Sequence, residues 1–181
     1  MGFFDRFKKK DAEPEVPAVP APITVSAEEG VLCAPVSGKV IPMAESPDPV
    51  FSGEVLGKGC AIWPEADNVY APASGLVTVT MGHAMGMTTD DGIEVLVHIG
   101  IDTVNLQGKG FTGYVVQDDK VEAGQAVITM DRAAIAEAGY QDCVMLAVSN
   151  TADYSSVELL VEPGTVVSAG TPVVKVKKQG S

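Results

Sequence analysis

His83 and His98 are the only histidines in 181 residues, and they stand fifteen positions apart. Imidazole is a nucleophile near neutral pH because its unperturbed pKa is about 6.5. A neutral ring can take up a phosphoryl group and pass it on. A second imidazole N–H nearby can stabilise the charge that arrives with it. No Ser, Cys or Asp motif of a hydrolase accompanies the pair, so two histidines alone suit a phosphoryl relay better than hydrolysis. His98 sits in GIEVLVHIGIDTV (92–104). Strand alternation puts Ile93, Val95, Val97, Ile99 and Ile101 on one face, read as core, and Glu94, Leu96, His98 and Gly100 on the other. Gly100, without a side chain, leaves room for a close approach. His83 sits in TMGHAMGM (80–87), between Gly82 and Gly86 and among Met81, Met85 and Met87. Adaptable thioethers suit a docking surface, and they equally suit the filling of core gaps. From the residues alone, a purely structural histidine remains the competing reading.

The elements that must carry these rings are mostly short β-type runs separated by turn residues. Two echoes stand out: APVSGKV (34–40) returns as APASGLV (71–77), and VEAGQAVITM (121–130) as VSAGTPVVKV (167–176). Their spacing is not constant, which argues for two related β-motifs packed on one another and against a solenoid. One helix is legible: Asp131 can cap AAIAEA and Gly139 can end it. The fold class predicted is all-β, a flattened antiparallel sandwich or barrel with one or two short helices.

Composition narrows the function. A net charge of −12 excludes the basic footprint of a nucleic-acid binder. No apolar run approaches ~18 residues, so no spanning helix is expected. Cys33, Cys60 and Cys143 are scattered, with no CxxC, and read as free thiols of a reducing cytoplasm. Residues 1–10, MGFFDRFKKK, place Phe3, Phe4 and Phe7 on one helical face beside Arg6, Lys8, Lys9 and Lys10. They read as a small membrane-surface anchor, with a frayed soluble tail as the alternative. Residues 11–24 are a proline-rich tether. Residues 25–181 form the folded domain.

VHIGIDTV (97–104), preceded by GIEVLV, resembles the phosphorylation-site signature of the glucose-family enzyme IIA proteins of the bacterial sugar phosphotransferase system. APVSGKV, DPVF (48–51), GKGCAIWP (57–64), VYAPASGLV (69–77), LQGKGF (106–111) and VVSAGTPVVKVKK fit the same pattern in order, so the resemblance covers about 25–177. MGFFDRFKKK resembles the tail of the stand-alone enteric-type member. The resemblance implies a flattened β-sandwich built as a duplicated hybrid motif. It implies a monomeric cytoplasmic phosphoryl carrier that needs no cofactor. Its donor would be the histidine phosphocarrier protein HPr, and its acceptor a cysteine on the EIIB part of an EIIBC permease, which chooses the sugar. His98 matches the phosphorylated residue, reacting through Nε2 while the Gly100 carbonyl holds Nδ1–H. His83 matches the supporting histidine. Asp48 and Asp102 match acidic positions flanking the site, Phe51, Val79 and Leu96 apolar positions around it, and Thr103 belongs to the signature. One departure is Met81, where the family usually carries a threonine that orients the supporting ring. Orientation of His83 should then come from elsewhere.

Two other readings compete with the relay. His98 and Asp102 form an HxxxD, as in zinc metallopeptidases on a related sandwich, but a catalytic zinc takes three protein ligands and the chain has no third histidine. A weaker zinc site at His83 and His98, completed by a partner's carboxylate, is a lesser variant. A regulatory binding role, in which the same apolar face meets transporters or kinases, is compatible with the relay.

Overall fold

Short β-branched runs broken by glycine leave this chain few options other than strands joined by tight turns. The computed structural model describes residues 18–180, so residues 1–10 and the anchor expected there lie outside the described residues. Among those described, the strands in chain order are β1 Val31–Cys33, β2 Gly38–Pro42, β3 Lys58–Pro64, β4 Asn68–Tyr70, β5 Gly75–Met81, β6 Ala84–Thr89 and β7 Glu94–Ile99. They continue with β8 Phe111–Gly113, β9 Lys120–Val121, β10 Ala126–Met130, β11 Val144–Val148, β12 Tyr154–Leu159, β13 Val166–Val167 and β14 Pro172–Lys178. Two short α-helices are α1, Pro49–Ser52, and α2, Arg132–Glu137. Asp131 caps α2 by accepting from the Ala134 amide at 3.0 Å, and Gly139 leaves it with φ +88°, as its sequence predicts. The other helix, α1, was not foreseen. Its signal is present in DPVF: Asp48 accepts from the Val50 amide, and a proline opens the first turn.

All pairings are antiparallel. The large sheet has the order β13-β2-β3-β11-β7-β6-β5-β9, and two three-stranded sheets have the orders β1-β14-β12 and β4-β10-β8. The main core lies between the large sheet and the small ones. Leu32, Val69, Ile128 and Val174 of the small sheets meet Val40, Ile62, Met85, Val97 and Leu146 of the large one. Each such side chain, fully withdrawn from water, contributes roughly 1.5–3 kcal/mol. The flattened sandwich expected from the sequence is therefore the fold observed.

The register reveals an internal two-fold. Gly38 pairs with Pro64 as Gly75 pairs with Thr89, and Val167 lies on Gly38 as Val121 lies on Gly75. The Gly170 amide bonds the Ala34 carbonyl at 2.9 Å, and the Gly124 amide bonds the Ala71 carbonyl at 3.0 Å. The two sequence echoes are thus structural equivalents. Carried inward, the registers make Val95, Leu96, Val97 and His98 the equivalents of Val144, Met145, Leu146 and Ala147. The axis passes through the paired Val97 and Leu146.

The halves differ in one connection. Only Gly82 and His83 join β5 to β6, whereas residues 43–57 join β2 to β3 and include α1. That longer segment folds over the outer face of the large sheet. Met43 and Phe51 there cover Ile41, Ala61, Met145 and Ala147, forming a second small core.

At the opposite end of β5 from His83, an N-terminal strap closes the fold. The Ile23 amide bonds the Gly124 carbonyl at 3.0 Å. A Cβ on Gly124 would collide with the Ile23 carbonyl, and one on Gly170 would come within 3.1 Å of both Ile23 and Val25. Both turns are left-handed, with φ +87° and +90°, so glycine is required twice over. The strap's first tie to the body is therefore at Ile23, two residues before the boundary at 25 expected from the prolines.

Candidate functional site

His98 occupies the penultimate position of β7. Its core-parity neighbours Ile93, Val95, Val97 and Ile99 are at most 2% exposed, while Leu96 and His98 face outward and are half-buried. Ile101 departs from the expected alternation. The strand ends at Ile99, and Gly100 turns the chain at φ +82°, so Ile101 packs with the second core on the outer face.

Cross-strand register carries His83 to the same place. Ala84 is paired with both His98 and Met81, so the turn between β5 and β6 holds His83 over the end of β7. The two rings meet edge to face, with centroids 4.8 Å apart and planes at 79°. Phe51 stands 5.0 Å from the His98 centroid, and Phe111 stands 6.4 Å from that of His83. His83 is buried. Its orientation comes from packing between His98 and Phe111, and from the close approach of Gly82 to Gly108, where a Cβ would sit 2.7 Å from the Gly108 Cα. Met81 does not replace the missing threonine hydroxyl. It lies on the His98 face, 48% exposed, at the rim. Phe111 was missed in the sequence; the signal was an aromatic residue at the end of the glycine-rich LQGKGF.

The rest of the expected set falls around this pair. Asp48 holds α1 by accepting from the amides of Val50 and Phe51, which aims Phe51 at the His98 ring. Leu96 and Val79 lie on either side of Gly86 in one cross-strand row of the His98 face, and Gly86 makes room for the Val79 methyl. Val79 and Met81, on that face, are exposed apolar residues, as are Val50 beside Phe51 in the chain and Val104 beside Thr103. Thr103 is fully buried and donates its hydroxyl hydrogen bond to the Ile99 carbonyl. Asp102 is exposed, in a left-handed conformation at the start of the turn 103–106.

Electrostatics favour a neutral ring at His98. Burial pushes His98 down to about 4, and proximity to His83 adds to this. Asp48 and the Gly100 backbone act in the opposite direction. Burial also lowers His83. His98 Nδ1 is sealed from water without a hydrogen-bond partner of good geometry, so the Gly100 main chain favours a proton on the ring but does not close the expected bond. The open edge of the ring therefore carries Nε2. The cysteines are free and buried. Cys60 and Cys143 are both pushed up to about 12, chiefly by burial, which leaves them protonated and inert. Among the described residues, no three His, Cys, Asp or Glu side chains form a metal-ligand group, so the metallopeptidase alternative finds no zinc triad. No helix among them is long and apolar enough to cross a membrane.

Fold and site together define an all-β sandwich that presents an outward histidine pair on the face of its large sheet. Residues 30–154 match the family model of the phosphoenolpyruvate-dependent sugar phosphotransferase system, EIIA 1, and the chain belongs to that family. It is 34% identical over 158 residues to the PTS system glucose-specific EIIA component of Halalkalibacterium halodurans, covering 86% of this chain and 90% of that protein. It is 39% identical over 162 residues to the PTS system mannose-specific EIIBCA component of Corynebacterium glutamicum, covering 88% of this chain but only 23% of that protein. The chain thus spans about a quarter of the length of the multidomain relatives it matches. The solved structure of glucose permease IIA from Mycoplasma capricolum aligns with a TM-score of 0.68 and 34% identity, covering 80% of this chain and 93% of that one. The chain is thus an EIIA-family component of the sugar phosphotransferase system.

Proposed function

We propose that His98 accepts a phosphoryl group from the histidine phosphocarrier protein and delivers it to a cysteine of an EIIB domain. The observation that carries this reading is the edge-to-face pair: one neutral imidazole with Nδ1 buried and Nε2 open, and a second imidazole 4.8 Å away. The Nε2 lone pair attacks phosphorus as the donor's P–N bond breaks, leaving the donor imidazole to regain its electron pair. In the second step the EIIB thiolate attacks, a P–S bond forms, and the His98 P–N bond breaks. The phosphoryl group arrives already activated on nitrogen, so the chemistry asks for no metal ion or cofactor. His83 donates an N–H to the phosphoryl oxygens, the stabilising role that a preorganised donor fills best in a dry site.

Partner choice follows from the rim. Val79, Met81 and Leu96 share the sheet face of His98, and partners with an apolar face and basic edge complement that surface on an acidic body. The EIIBCA and EIICBA names of several relatives place an EIIA domain in one chain with B and C components, which supports a permease partner here. The same face would serve any regulatory partner.

The test is labelling with phosphoenolpyruvate, enzyme I and the phosphocarrier. The expected product carries one acid-labile, base-stable phosphate, absent from His98→Gln. Normal labelling of that variant would sink the assignment.

A further inference from the structure

The chain that follows His98 is pinned from two sides. The Gly100 amide donates to the Cys143 carbonyl at 2.7 Å and the Ile101 amide to the Gln141 carbonyl at 3.0 Å, so the segment leading into β11 fixes the amide side of the turn. The other side rests on Thr103. This residue is fully buried, one of four buried polar residues among those described. Its hydroxyl reaches back to the Ile99 carbonyl, and a Cβ on Gly100 would collide with its methyl and with the Gln141 carbonyl. Gly100, held between them at φ +82°, stands two residues after His98, whose Nδ1 is sealed from water with no hydrogen-bond partner.

We propose that Thr103 is a positioning residue for His98: its hydroxyl, clamped on the Ile99 carbonyl, fixes the turn that carries the Gly100 main chain past the sealed Nδ1 side of the ring, and so biases the ring proton to Nδ1 and leaves Nε2 free. A ring nitrogen's proton is set by what the other nitrogen faces, and the groups that orient such partners act from behind. Here the neighbour is backbone, so its placement depends on whatever fixes the turn. This inference rests on the reading of His98 as the phosphoryl acceptor.

The fold supplies its own control. Thr151 donates to the Val148 carbonyl at 2.6 Å, and Val148 is the two-fold equivalent of Ile99. Both threonines open a short 3₁₀ turn, at 103–106 and 151–153. A staple that merely closes a strand end acts alike at both places, whereas a positioning role belongs to Thr103 alone.

The experiment compares Thr103→Val, Thr103→Ser and Thr151→Val in the full chain. Nitrogen-15 NMR of the unphosphorylated protein reads the His98 tautomer, thermal melting reads stability, and single-turnover labelling reads acceptance. Thr103→Val is expected to lose the single Nδ1–H tautomer and to accept phosphate roughly tenfold more slowly, as lost hydrogen bonds and outer-shell partners typically act. Thr103→Ser should restore both. Thr151→Val should melt lower yet keep the wild-type His98 spectrum. If Thr103→Val is too unstable to study, Thr103→Ala is read in its place. A wild-type tautomer and rate in the hydroxyl-free variant would overturn the proposal, as would an equal spectral change in Thr151→Val. Failure of wild-type His98 to label would instead remove the acceptor reading, while the spectra would still decide what Thr103 does.

Discussion

His98 and Ala147 are equivalent positions about the axis through Val97 and Leu146, and so are Leu96 and Met145. On the inner face the equivalents are alike: valine and leucine at the axis, valine at 95 and 144, all buried. On the outer face they diverge. The segment 43–57 lies over Ala147 and Met145 and turns that half into a second core. The other half has only a two-residue turn at the same place, and there the outer face stays open for a histidine pair. The two related β-motifs share one frame, and the length of one loop decides which copy keeps its outer face open for a histidine pair. Phe51 shows that the long loop also serves the open half, as a wall beside His98.

The comparison can be broken from several directions. The greatest effect should come from His98→Gln, which removes all stable phosphate while changing unfolding stability by no more than about 1 kcal/mol, because the ring is outward and half-buried. A large drop in melting temperature would mean that the outer face is structural in this half too. His83→Gln should still label but lose about a hundredfold in onward transfer, the usual cost of one preorganised donor. Undiminished transfer to a reconstituted EIIBC permease would remove His83 from the chemistry. Leu146→Ala, at the axis, should cost about 2–5 kcal/mol. In calorimetry this appears as a melting temperature lower by roughly 5–15 °C. Its folded fraction should label at the normal rate, since the inner face does no chemistry.

Acid sharpens the contrast further. A His98 ring lowered from 6.5 to about 4 is neutral in the folded protein where the unfolded chain is already protonated. Its stabilising contribution is intact above about 6.5 and is lost as pH falls through that window toward about 4, by at most about 1.4 kcal/mol per pH unit. Acid titration of His98→Gln should show a shallower loss than wild type; parallel curves would reject the lowered ring. By the same argument, phosphate acceptance should stay level down to about pH 5, where an ordinary imidazole is mostly charged. The smallest effect is expected from Lys58→Ala. Lys58 is the register equivalent of His83, so transfer kinetics should not move if the chemistry belongs to one half only.

The sequence carried much of this and missed what depends on register. Alternation in GIEVLVHIGIDTV placed His98 outward because β7 is regular through Ile99, and it failed at Ile101 because Gly100 turns the chain left-handed. The echoes were visible as repeats, but their meaning as a two-fold needed the pairings of β2 with β3 and β5 with β6. The resemblance supplied the members of the site; the packing of His83 against Phe111 and Gly108 depends on a contact between chain segments that no local pattern encodes. The cap of α1 was written in DPVF and simply lay too close to a four-residue helix to show periodicity.

The strap at Ile23–Val25 has a mechanical consequence. It is bolted across two turns at the far end of β5, a strand of seven residues that measures about 20 Å. The chain therefore enters the domain at the end of β5 opposite His83, and a load applied at Ile23 would cross the length of that strand before it reached the histidine pair.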